Sequence, residues 1–105
     1  MVIGTIITIG LIALGIYLLI RHIKLSNMRV LDLRGYERDG YDRLVHRDVA
    51  YNEIYKEGYQ TGKFTRRFGE YDVHHIDRNK RNNSPENLQI LTREEHNEEH
   101  RRNGY

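Results

Sequence analysis

Apolar and polar positions divide this chain at residue 20. Val2 to Ile20 carries no charged side chain and is apolar on every face. As a helix, this stretch spans roughly 28 Å at about 1.5 Å per residue, close to the hydrocarbon thickness of a bilayer. A core helix of that kind needs a larger apolar surround than the polar remainder offers. A cleaved leader has basic residues before its apolar run and a small-x-small site after it. Here Arg21, Lys24 and Arg29 follow the run, and Ile20-Arg21-His22 offers no such site. The segment 1–20 therefore reads as a retained single-pass transmembrane helix, touching the membrane through residues 2–20. Its basic flank predicts that the C-terminal side is cytoplasmic and the N-terminus outside, with Tyr17 at the interface.

Beyond it the pattern changes. Residues 21–40 are first basic and then carry Asp-Leu-Arg-Gly and Arg-Asp-Gly turn signals, which predicts a juxtamembrane linker. The remaining unit, 41–105, opens on a short strand over Tyr41 to His46. A helix is expected over Val49 to Glu57, stopped by Gly58, and a basic loop over Gln60 to Gly69. Tyr71 to Asp77 alternates as a strand, with Tyr71, Val73 and His75 on one side and Asp72, His74 and Ile76 on the other. Asn79 to Asn87 is a loop whose amides can satisfy its own backbone, and Leu88 to Leu91 is the returning strand. Thr92-Arg-Glu-Glu95 is a capping box, starting a helix from Arg93 to about Arg102. The fold class is α+β, and 71–102 is its core motif.

Composition narrows the chemistry. All 17 Lys and Arg and all 15 Asp and Glu lie after residue 20, leaving a small polar unit with a modest core that calls for a metal or partner. Without cysteine there is no disulfide or thiolate site, so a metal must be held by His, Asp, Glu or Asn. A net charge of +2 and pI near 9.0 suit a polyanionic partner without demanding one. Most of the eight tyrosines lie between 36 and 71. They read as fillers of a core with few large aliphatics rather than as base-stacking groups.

Four of the six histidines fall between 71 and 100. His96 and His100 lie one helical turn apart, with Cβ atoms about 5–6 Å from each other, so both can reach one ion, and a histidine of the adjacent strand can complete the set. A His-Glu-x-x-His protease needs Glu at position 97, where Asn97 stands.

The paired His74-His75, the Asn-rich loop ending in Asn87-Leu88, and His96-Asn-Glu-Glu-His100 on a capped helix together resemble the HNH endonucleases. The pattern around His46-Arg47 and Val49-Ala50 resembles the lead-in of phage and homing-type members. The resemblance implies a ββα-metal fold and metal-dependent hydrolysis of phosphodiester bonds in nucleic acid, taken as DNA. Carried over by position, His75 is the general base and Asn87 orients it through hydrogen bonding. His74, His96 and His100 hold one divalent ion (Mg, Mn, Zn or Ni), three imidazoles favouring a transition ion. A neutral base implies activity that rises with pH. Arg66, Arg67, Arg78, Lys80 and Arg81 are candidate phosphate contacts, while His22 and His46 have no evident metal partner. The anchor sets this chain apart from soluble relatives. The alternative is a membrane-anchored nucleic-acid- or metal-binding module without cleavage.

Overall fold

The computed structural model describes residues 2–104. Helix α1 (Val2–Asn27) is unbroken, buries none of its residues and is long and apolar enough to cross a membrane. Thr8 Oγ1 donates to the Gly4 carbonyl at 2.8 Å, so its hydroxyl is satisfied inside the helix, as an apolar surround requires. The helix continues past Ile20, and its end docks on the following chain. The Gly40 N–H donates to the Leu25 carbonyl at 2.7 Å, and His22 Nδ1 hydrogen-bonds the Tyr41 hydroxyl at 2.9 Å. Only glycine allows this approach, because a Cβ at position 40 would stand 2.7 Å from that same carbonyl oxygen.

The region expected to be a linker is built. Strands β1 (Val30–Leu31) and β2 (Glu37–Arg38) pair antiparallel, Val30 opposite Arg38 and Leu31 opposite Glu37. Asp32 closes their turn. Its Oδ1 accepts the N–H groups of Arg34 and Tyr36 at 2.9 and 3.0 Å, and its Oδ2 accepts Arg38 Nε at 3.1 Å. Asp39 repeats the device one turn later with the N–H groups of Tyr41 and Arg43 and the Arg43 side chain. Burial pushes both carboxyls up, but these hydrogen bonds outweigh it and leave both below the usual carboxylate range.

Residues 41–46 do not form the expected strand: Leu44 makes a single bridge to Arg38, and the chain turns into a helix at Val45. Helix α2 (Val45–Ala50) runs through a π turn (Tyr51–Tyr55) into α3 (Lys56–Gln60). Gly58 lies inside this helix rather than ending it. A Cβ there would meet the Phe64 ring at 2.3 Å, so the glycine serves close packing of the loop on the helix.

The core comprises Ala50, Tyr55, Phe64, Tyr71, Leu88 and Ile90, with Val49, Ile54, Phe68 and Val73 packed against it. Tyrosine fills it as expected because its hydroxyl finds backbone. Tyr55 donates to the Arg66 carbonyl at 2.6 Å, and Tyr71 accepts the N–H groups of Thr65 and Arg66 at 3.3 and 3.2 Å. Strand β3 (Tyr71–His75) pairs antiparallel with β4 (Leu88–Thr92) from Tyr71–Thr92 to His75–Leu88. Helix α4 (Arg93–Asn103) follows at once, entered through the capping box and closed by Gly104 at φ 71°. Strand, loop, strand and helix thus form a ββα unit.

Candidate functional site

Alternation along β3 assigns its neighbouring histidines to different partners. Asp72 and His74 meet α4. His96 Nδ1 hydrogen-bonds Asp72 Oδ2 at 3.0 Å, the His74 and His96 ring centroids are 5.6 Å apart, and those of His96 and His100 are 4.4 Å apart. His75 meets the opposite elements, its centroid 4.9 Å from His46 of α2 and 6.1 Å from Tyr36 of the β1–β2 hairpin.

The His75 ring is held by Asn83, whose Oδ1 lies 2.8 Å from Nε2. An amide oxygen only accepts, so Nε2 carries the proton and Nδ1 keeps the lone pair. The expectation that Asn87 makes this bond is corrected. The Asn87 side chain accepts the Asp77 N–H at 3.0 Å and donates to Asp77 Oδ1 and the Asn82 carbonyl at 2.9 and 2.8 Å. It ties the two ends of the loop. Asp77 is the loop's hub, accepting also from the Asn82 amide and the Asn79 N–H at 2.8 Å each. These bonds, Asn82 first, hold its carboxyl below the usual range. The loop leaves β3 through Arg78 in the left-handed region, φ 63°, with its N–H on the His75 carbonyl at 3.0 Å. That conformation is uncommon away from glycine and is sustained here by the Asp77 bonds.

His74, His75, His96 and His100 line one cleft of about 340 Å³ together with Tyr36, Val73, Arg78 and Lys80. Its lining carries two cations and no carboxylate, which makes it a place for an anion. Lys80 Nζ donates to the Arg34 carbonyl at 2.8 Å and stands 4.8 Å from the Tyr36 ring centre, joining the loop to the hairpin. Of the five basic residues expected at phosphate, Arg78 and Lys80 are here. Arg66 pairs with Glu94 at 3.6 Å and Arg81 with Glu37 at 3.8 Å; neither these nor Arg67 lines the cleft.

The imidazoles suit a divalent ion in kind and spacing. Two rings ligating one ion at about 2.0–2.1 Å have centroids within roughly 6.5 Å of each other, which both neighbouring pairs satisfy. Asp72 on His96 Nδ1 leaves Nε2 to ligate, the usual carboxylate–histidine arrangement. Burial, with the His96 ring next, holds His74 below the usual imidazole range and keeps it neutral, as a ligand must be. The three histidines are gathered but not closed: among the described residues no three His, Asp or Glu side chains form a ready metal cage.

Sequence reasoning missed Asn83, Asp72, Tyr36 and His46. Asn83 carried one signal, its place in an Asn-rich loop after paired histidines. Packing brings Tyr36 into the cleft lining and sets Asp72 on His96 and His46 against His75. A family model described as HNH endonuclease matches residues 43–98, which is 56 of the 105 residues. No curated protein and no solved structure gives a significant match.

Proposed function

This chain belongs to the HNH endonuclease family, and from that premise we propose that it is a metal-dependent endonuclease hydrolysing phosphodiester bonds in DNA. The observation that carries the reading is the cleft where His74, His75, His96 and His100 meet Arg78 and Lys80 with no carboxylate in its lining.

His74, His96 and His100 would hold a divalent ion, which when bound would supply Lewis-acid stabilisation of charge on the phosphate and the leaving 3′ oxygen. His75 is the general base. With Nε2–H donated to Asn83, its Nδ1 takes a proton from water. The water oxygen bonds to phosphorus as the bond to the 3′ oxygen breaks. Asn83 fixes the tautomer and Asn87 the loop that carries Asn83. Arg78 and Lys80 hold phosphate oxygens beside the scissile bond. Helix α1 anchors the enzyme in a membrane. Arg21, Lys24 and Arg29 place the nuclease on the cytoplasmic side, with the N-terminus outside.

A second reading is a membrane-anchored module that binds nucleic acid or metal without cutting. One experiment separates the two. The full chain in detergent micelles is given supercoiled plasmid with Mg, Mn, Ni or Zn, or with chelator, beside His75→Ala; an RNA of matched length runs in parallel. The expected result is metal-dependent nicking of DNA that falls about 10²- to 10⁴-fold in the variant. A folded protein that retains plasmid but fails to cut it with every metal tested supports the second reading.

A further inference from the structure

His46 occupies the second position of α2, is 7 % exposed, and bears on its Nδ1 a buried side-chain atom without any hydrogen-bond partner. It is the one such atom among the described residues. An unpaired buried polar atom destabilises the folded state, and phenylalanine, with a slightly larger ring, would carry no such atom. Stability therefore gives no reason for histidine here.

Its neighbours give one. The His46 ring stacks on Tyr36, centroids 4.9 Å apart and planes inclined by 25°, and meets the His75 ring at 4.9 Å and 48°. Lys80 Nζ also stands 4.8 Å from the Tyr36 ring centre. Hairpin, helix and strand thus each give one ring to a three-ring cluster, in which Tyr36 and His75 lie 6.1 Å apart and His46 meets both. Asn83 holds one nitrogen of His75, and His46 limits how the ring can turn about that bond. With Nδ1 unpaired, the Nε2–H tautomer is favoured, since a buried lone pair costs less than a buried N–H. Burial, and after it the charge His75 would carry, push the His46 pKa down to about 4, so the ring stays neutral when the base takes up a proton.

We propose that His46 is a positioning residue for His75, fixing the plane of its ring and setting an imidazole dipole beside the charge that His75 acquires. The effect is through space, because Asn83 engages one N–H of the imidazolium and the proton taken from water sits on the other nitrogen. Such a dipole is uncompensated at rest and favourable only as charge develops, so it lowers the barrier and leaves substrate binding alone. The inference rests on the nuclease reading, through His75 as base.

The test compares His46→Phe and His46→Ala with the parent full chain in micelles. Steady-state cleavage of a labelled DNA duplex and ¹⁵N spectra of labelled histidine are recorded, together with melting. His46→Phe should melt no lower than the parent and keep a single His75 tautomer. Its kcat should fall roughly tenfold or more, with KM within about twofold. His46→Ala should also shift and broaden the His75 ring signals, while the Asn83 bond keeps the tautomer. Full activity in His46→Phe, an unchanged His75 spectrum in His46→Ala, or losses that appear in KM and melting rather than kcat would each overturn the proposal. If the parent does not cleave, the nuclease reading fails and with it the rate effect, while the His75 spectrum still tells whether His46 orders that ring.

Discussion

Asn83 and Asn87 lie four residues apart in the same loop and do different work. The first bonds the His75 ring, the proposed base; the second bonds the backbone that brings the first into place. Asn83→Ala should therefore lower kcat by about ten- to a hundredfold with little change in melting. Asn87→Ala should lower melting as well, since it leaves the Asp77 N–H and carboxylate short of partners. Steady-state cleavage and thermal unfolding on the same preparations separate the two, and equal melting losses would contradict the division of labour. Acid stability is decided at this scale too. The unfolded chain protonates a histidine at its ordinary value of 6.5, whereas folded His46 does so only at about 4. Between those values the unfolded state binds more protons, so stability is full above 6.5 and is lost as pH falls through 4. Asp32, Asp39 and Asp77, held low, add a loss of the same sign below about 3.9. Melting followed from pH 7 to 4 should fall steadily in the parent and less steeply in His46→Phe.

Among the elements, those governed by near neighbours in the chain were readable in advance. The strand expected over Tyr71 to Asp77 forms over Tyr71 to His75, and the Asn-rich loop, the returning strand and the capping box at Thr92 stand where the pattern placed them. Elements that depend on distant contacts were not. Gly58 looked like a stop because glycine weakens helices, yet it lies inside one to admit the Phe64 ring. Residues 30–38 looked like linker because their two strands are short and exposed, yet Asp32 folds them into a hairpin that walls the cleft with Tyr36. Gly40 is the sharpest case, since a methyl group there would collide with Leu25 and force α1 off the domain. Gly40→Ala should cost about 1–3 kcal/mol, whereas Gly69→Ala, where a Cβ meets nothing within 4 Å, should stay within about 0.5 kcal/mol. Thermal unfolding of the two variants against the parent checks this, and equal effects would remove the proposed reason for glycine at 40.

For the whole molecule, the apolar helix and the catalytic unit are joined without a free tether. The end of α1 is hydrogen-bonded to Gly40 and Tyr41, and the chain between them is the hairpin that lines the cleft. The proposed anchor would thus hold the cleft in one orientation to the bilayer rather than letting it roam. The full chain should remain with membranes after an alkaline wash, and a protease added to the cytoplasmic face of inverted vesicles should digest the nuclease unit. Recovery of the full chain in the soluble fraction would contradict the anchor, and protection of the unit would reverse its orientation.

The sequence alone determined the apolar segment, the ββα order, the capped helix with His96 and His100 one turn apart, and the family resemblance through His74, His75 and Asn87. Each depends on periodicity or on contacts a few residues long, which a linear pattern encodes directly. Tertiary structure decided which amide holds His75, which basic residues face the cleft, that a hairpin forms one of its walls, and that His46 lies against the base. These depend on loop closure and on side chains 29 or more residues apart, as His46 and His75 are. Nothing in local spacing records where such groups meet, because packing of the shared core brings them together.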